Sequence, residues 1–117
     1  RPTAGFQNLQ PGDVILKQGD AAELVYTIIS GEADVFVDGV KVGELAEEEV
    51  VGAMAVFTGE PRSATVVART ACTIMAVPQK DFVLLIEAQP KAAVNLIENL
   101  ARRITIINQQ LIDKEES

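Results

Sequence analysis

Between Gly52 and Val66 the chain reads Gly-Ala-Met-Ala-Val-Phe-Thr-Gly-Glu-Pro-Arg-Ser-Ala-Thr-Val, and this stretch concentrates the residues whose types could do chemistry. Gly52 permits close backbone approach, and the small and apolar residues after it can form one helical turn. A tight turn at Thr58-Gly59-Glu60-Pro61 returns the chain, and a single arginine, Arg62, enters the next strand. A short helix presents unpaired N–H groups at its N-terminus, which favour an anion. A guanidinium fork nearby suits two phosphate oxygens. Ser63 and Thr65 add hydroxyls. The chemistry on offer is the capture of one phosphate. By itself the pattern is weak, because an isolated Arg after a turn is usually a surface charge.

Composition excludes most other chemistry. The 117 residues include no His, no Trp and one Cys, Cys72. Without His there is no Ser–His or Cys–His nucleophile pair and no imidazole general base. One Cys and no His also rule out zinc-finger ligation and an intramolecular disulfide. No metal site, cofactor or catalytic residue is expected, and the protein does not read as an enzyme. Cys72, within Thr70-Ala71-Cys72-Thr73-Ile74, reads as a buried small hydrophobe in a reducing, cytoplasmic setting. Ten Lys plus Arg against 17 Asp plus Glu leave a net charge of −7, which argues against nucleic-acid contact by this segment. The uninterrupted apolar runs, such as Ala53 to Phe57, fall far short of the ~18–20 residues that span a bilayer, so no membrane contact is expected. The first residue is Arg1 rather than Met, as in a segment of a larger protein.

The elements that must position Arg62 fall into two regions. From about Leu9 to Pro78, short β-type runs are punctuated by Gly, Pro and Asp: Val14–Leu16, Val25–Ile29, Ala33–Val37, Val40–Leu45, Ala64–Ala68 and Thr73–Val77. Asp38-Gly39 between two of them is the dipeptide of a type I′ hairpin, whose central residues both need positive φ. From Gln79 the punctuation stops, apart from Pro90, which should separate two helices. Phe82, Leu85 and Ile86 predict a short amphipathic helix. Val94, Ile97, Leu100, Ile104, Ile107 and Leu111 then recur at helical spacing, predicting a long helix to about Lys114. Its N-terminal half should pack on the β-domain, while Leu100, Ile104, Ile107 and Leu111 should form a homodimer interface.

From Leu9 to Ile104 the chain resembles the cyclic nucleotide-binding domain family, of the catabolite activator protein and kinase regulatory subunit type. The carriers are Pro11-Gly12-Asp13, Gly19-Asp20, Tyr26 through Gly31, Gly52 with Ala55, Pro61-Arg62-Ser63-Ala64-Thr65, Phe82 and Leu100-Ala101-Arg102-Arg103. The resemblance implies a mainly β fold: one β-roll or jelly roll over about residues 9–78, followed by a short helix and a long C-terminal helix to about 114. All 117 residues are then a single domain. It also implies a phosphate-binding cassette comprising Gly52, Ala53, Met54, Ala55, Arg62, Ser63, Ala64 and Thr65. Arg62 would pair with the cyclic phosphate, the backbone N–H groups of Ala55 and Ser63 would bond its oxygens, and Gly52 would approach the ribose. Ser63 permits a guanine turned over the phosphate without demanding it.

One departure stands out. The family usually has Phe-Gly-Glu where this chain has Val51-Gly52-Ala53, and that Glu accepts the ribose 2′-hydroxyl. A hydrogen bond to a charged group is worth ~1.5–3 kcal/mol, so its loss weakens binding by about 10- to 150-fold. An upstream Gly typical of the family also gives way to Glu47-Glu48-Glu49, expected to be a solvated loop. The expected function is a ligand-sensing regulatory domain for cAMP or cGMP, signalling through the long helix to a partner subunit or to an effector domain in the parent chain. A different anion remains open as the ligand. The alternative is a degenerate module for dimerisation or scaffolding that binds no nucleotide.

Overall fold

A computed structural model describes residues 3–99 and 101–102. The chain divides into two compact units, Arg1–Val83 and Leu84–Ser117. The boundary falls inside a helix, five residues beyond the end of the last strand at Pro78.

The described residues of the first unit form eight strands in two antiparallel sheets. They are β1 (Gly5–Leu9), β2 (Val14–Leu16), β3 (Leu24–Ser30), β4 (Ala33–Val37), β5 (Val40–Leu45), β6 (Val50–Val51), β7 (Thr65–Ala68) and β8 (Cys72–Pro78). One sheet has the order β1-β8-β3-β6 and the other β2-β7-β4-β5. Burial alternates along β7 and β8, as expected for strands with one face on a core. Ile15, Leu16, Leu24, Tyr26, Ile28, Leu45, Val66 and Ile74 join in one cluster. Ile28 and Ile74 are essentially sealed from solvent, each contributing about 1.5–3 kcal/mol. Cys72 is a buried free thiol within the same cluster.

The β4–β5 hairpin turns at Asp38 (φ 51) and Gly39 (φ 80), both in the left-handed region the dipeptide predicts. Two strands escape the sequence pattern. β1 is an edge strand paired with β8, mostly exposed and with no buried residue. β6 has only two residues, directly after the acidic run. That run is a tight connection: Glu48 takes φ 71, its N–H donates to Ile28 O at 2.8 Å, and Ile28 N–H donates to Glu49 O at 3.0 Å. Glu47 and Glu48 are exposed, as a solvated loop requires.

Helix α1 (Ala53–Thr58) follows β6, and α2 (Gln79–Ala88) follows β8. In the first unit, Phe57 of α1 meets Phe82 of α2, with ring centroids 6.0 Å apart and tilted by 52°. In the second unit, after a break at Gln89, residues 90–99 and 101–102 are helical, so Pro90 opens a helix as expected. Val94 and Ile97, the first two positions of the apolar stripe, are 52% and 66% exposed. Leu100, Ile104, Ile107 and Leu111, the expected dimer contacts, lie outside the described residues. No helix among the described residues is long and apolar enough to cross a membrane.

Candidate functional site

Arg62 is 6% exposed, which is rare for a charged side chain. Its backbone is clamped first. Arg62 N–H donates to Asp20 O and Gly19 N–H donates to Arg62 O, both at 2.8 Å, so the turn after β2 holds the residue entering β7. The side chain then reaches across the fold. Nη1 donates to Gly52 O and Nη2 to Leu24 O, each at 2.6 Å. Cζ lies 5.8 Å from the centroid of the Tyr26 ring, within cation–π range.

Gly52 makes this possible twice over. It adopts φ 80 and ψ 14, a left-handed conformation that costs other residues energy. A Cβ there would also collide with Arg62 Nη1, and would lie 3.1 Å from both Arg62 Cζ and Leu16 Cδ1. The guanidinium therefore occupies space that a side chain at residue 52 would fill.

Burial without a counter-charge sets Arg62 apart among the described residues. Lys41 and Arg69 are engaged by carboxylates: Lys41 Nζ is 3.2 Å from Asp34 Oδ1, and Arg69 Nη1 is 2.9 Å from Glu44 Oε1. Among the described residues, no carboxylate pairs with Arg62. Burial pulls its pKa below the ordinary guanidinium value, partly opposed by Tyr26. Burial likewise pushes the Tyr26 phenol up, with Arg62 opposing and Glu23 adding to the rise. A buried cation without a counter-charge is costly. Two carbonyls and an aromatic face offset part of that cost, and an arriving anion would offset more.

The other expected site residues surround it unevenly. Ala53 is buried, Ala55 half-buried and Met54 exposed along α1; Ser63 is exposed and Ala64 half-buried. No side chain caps the first turn of α1, which leaves its N–H groups without a side-chain partner. Thr65 is committed elsewhere: its Oγ1 accepts from Gln18 N–H at 3.0 Å. The Gln18 side chain in turn makes paired hydrogen bonds with Asp38, Nε2 to Oδ1 and Oε1 from N–H, both 2.9 Å. A cleft of about 490 Å³ lined by Ala22, Glu23, Leu24, Val56, Pro78 and Gln79 touches the Arg62 network only at Leu24 and includes none of the expected site residues.

A model of the cyclic nucleotide-binding domain matches residues 6–89, which take in both sheets and the Gly52–Arg62 constellation. The chain belongs to the cyclic nucleotide-binding domain family. A cAMP-dependent protein kinase regulatory subunit from Dictyostelium discoideum is 34% identical over 110 residues, covering 90% of this chain and 33% of that protein. The catabolite activator protein of Thermus thermophilus superposes with a TM-score of 0.77 at 27% identity, covering 96% of this chain and 55% of that one. A c-di-GMP-responsive global regulator from Xanthomonas campestris superposes at 0.81 with 18% identity, over 92% of this chain and 57% of its own, and shares the fold. The chain spans half or less of the length of the curated relatives it matches. The jelly-roll architecture expected from the resemblance is thus the family's own. The motif pointed to Arg62 and Gly52, but it did not reveal Leu24, Tyr26, Gly19 and Asp20 as the groups that hold Arg62. In the sequence Gly19-Asp20 and Tyr26 stood out as carriers of the family resemblance, with nothing to tie them to Arg62.

Proposed function

We propose that this domain senses a cyclic mononucleotide, cAMP or cGMP, whose phosphate pairs with Arg62. The observation that carries this reading is the buried guanidinium with no carboxylate partner among the described residues. Membership of the family supports it, as does Gly52, whose missing side chain is where the guanidinium sits. Backbone N–H groups of Ala55 and Ser63 complete the phosphate contacts, with Gly52 beside the ribose. The Ala53 side chain offers no acceptor for the 2′-hydroxyl, so affinity is about 10- to 150-fold below that of a site with a Glu there. Ser63 admits guanine as well as adenine.

Ligand capture tightens the cassette around α1. The Phe57–Phe82 contact supports transmission from α1 to α2, and the helix beyond Pro90 carries the change to a partner subunit or an attached effector. Such signalling requires different ligand affinity in two helix positions. The segment performs no catalysis in this scheme and touches neither nucleic acid nor membrane. Calorimetry with cAMP and cGMP, on wild type and Arg62→Ala, tests it. Measurable binding that Arg62→Ala abolishes is expected; undiminished binding by Arg62→Ala refutes the phosphate assignment.

A second reading, a dimerisation or scaffolding module without nucleotide, draws on the exposed Val94 and Ile97. Absence of any cyclic nucleotide binding, together with a homodimer lost in Ile107→Lys, would favour it.

A further inference from the structure

We propose that Tyr26 is a positioning residue for the Arg62 anion site. The inference deepens, and rests on, the reading of Arg62 as the phosphate contact. β3 contributes two groups to that arginine from neighbouring same-face positions, the Leu24 carbonyl and the Tyr26 ring. Tyr26 pairs across the sheet with Val51, the residue before Gly52. The ring therefore stands in the strand pair that carries Leu24 O and leads directly into Gly52 O, the two carbonyls gripping Nη2 and Nη1. With Tyr26 and Arg62 each 6% exposed, their contact is largely desolvated, the condition under which cation–π attraction is strongest. The two carbonyls engage one N–H on each terminal nitrogen of the guanidinium, which has five N–H donors. The ring fixes the plane in which the remaining donors are offered. Without it, the guanidinium would have to be ordered anew when an anion arrives, and that cost would appear in affinity.

The test uses the 117-residue chain, with Tyr26→Leu removing the ring and Tyr26→Phe retaining it. Two quantities are read: cAMP affinity by calorimetry, and the Arg62 Nε–H proton resonance in the ligand-free chain, which an overlying aromatic ring displaces. Tyr26→Leu is expected to weaken cAMP by about three- to thirtyfold and to move the resonance toward its position in an unstructured chain. Tyr26→Phe is expected to restore both, with affinity within about twofold of wild type. An unmoved resonance in Tyr26→Leu overturns the proposal, as does a Tyr26→Phe variant as weak as Tyr26→Leu. If wild type binds no cAMP, the anion reading of Arg62 fails, while the resonance still decides whether Tyr26 holds the guanidinium. Should Tyr26→Leu not fold, Arg62→Met supplies the reciprocal measurement. The chain has one Tyr and no Trp, so its near-ultraviolet tyrosine circular dichroism reports Tyr26 alone. An unchanged band in Arg62→Met overturns the contact.

Discussion

Gly52 and Gly59 flank α1 in nearly the same left-handed conformation, φ 80 and φ 76, yet their surroundings differ. A Cβ at Gly59 would meet nothing within 4 Å, whereas one at Gly52 would strike Arg62 Nη1 and crowd Leu16. Alanine at either position pays the backbone cost of that region, about 1 kcal/mol. At residue 52 the guanidinium must also retreat, giving up at least the charge-assisted bond to Gly52 O, a further ~1.5–3 kcal/mol. Gly59→Ala should therefore lose about 1 kcal/mol in urea denaturation, and Gly52→Ala about 2.5–4 kcal/mol. The excess should shrink when Gly52→Ala is made in an Arg62→Ala background, because the displaced group is then absent. Cyclic nucleotide affinity, measured by calorimetry, should fall in Gly52→Ala and hold in Gly59→Ala. Equal losses of stability at the two glycines, or an excess unchanged in the Arg62→Ala background, would refute the steric coupling between residues 52 and 62.

Glu48 holds φ 71 in a position better suited to glycine, so Glu48→Gly should raise stability in urea by about 0.5–1 kcal/mol. Ala53→Glu should tighten cAMP by about tenfold or more but leave a 2′-deoxy analogue unimproved. Because Ala53 is 6% exposed, the same change should lower stability by about 1–3 kcal/mol. The Tyr26 phenol, pushed up by burial, should titrate above its ordinary 10.0 in an absorbance titration. A raised folded pKa holds the proton more tightly than the unfolded chain does, so that stability is complete below pH 10 and is lost as pH climbs through the folded value. Tyr26→Phe should remove this alkaline loss, which chemical denaturation at stepped pH would detect.

What could be read from the residues was whatever local chemistry dictates. Asp38-Gly39 announces its hairpin because two adjacent positive φ angles suit few other pairs. Arg62 after Gly59-Glu60-Pro61 was a weak signal by itself and stood out through the family resemblance that Pro61-Arg62-Ser63-Ala64-Thr65 carries. β1 did not, since Gly5-Phe6-Gln7-Asn8-Leu9 lacks an alternating face and is a strand only by pairing with distant β8. The grip on Arg62 was illegible for a similar reason. Leu24 contributes its carbonyl, a group every residue carries, from 38 positions away. Nothing local distinguishes the ring of Tyr26 beside a guanidinium from a ring that merely fills the core. That a glycine gives way to the run Glu47-Glu48-Glu49 was visible; that Glu48 within it would take a left-handed conformation was not.

The paired bonds between Gln18 and Asp38 bear on how this domain could be engineered. The hairpin tip at residues 38–39 is exposed and looks like a free splice point. Yet Gln18 fastens it, through its own N–H on Thr65, to the strand that leaves Arg62. A fluorescent protein inserted at the tip would pull on the cassette strand and register its movements. The loop that appears safest for a passive tag is the one best wired as a sensor output.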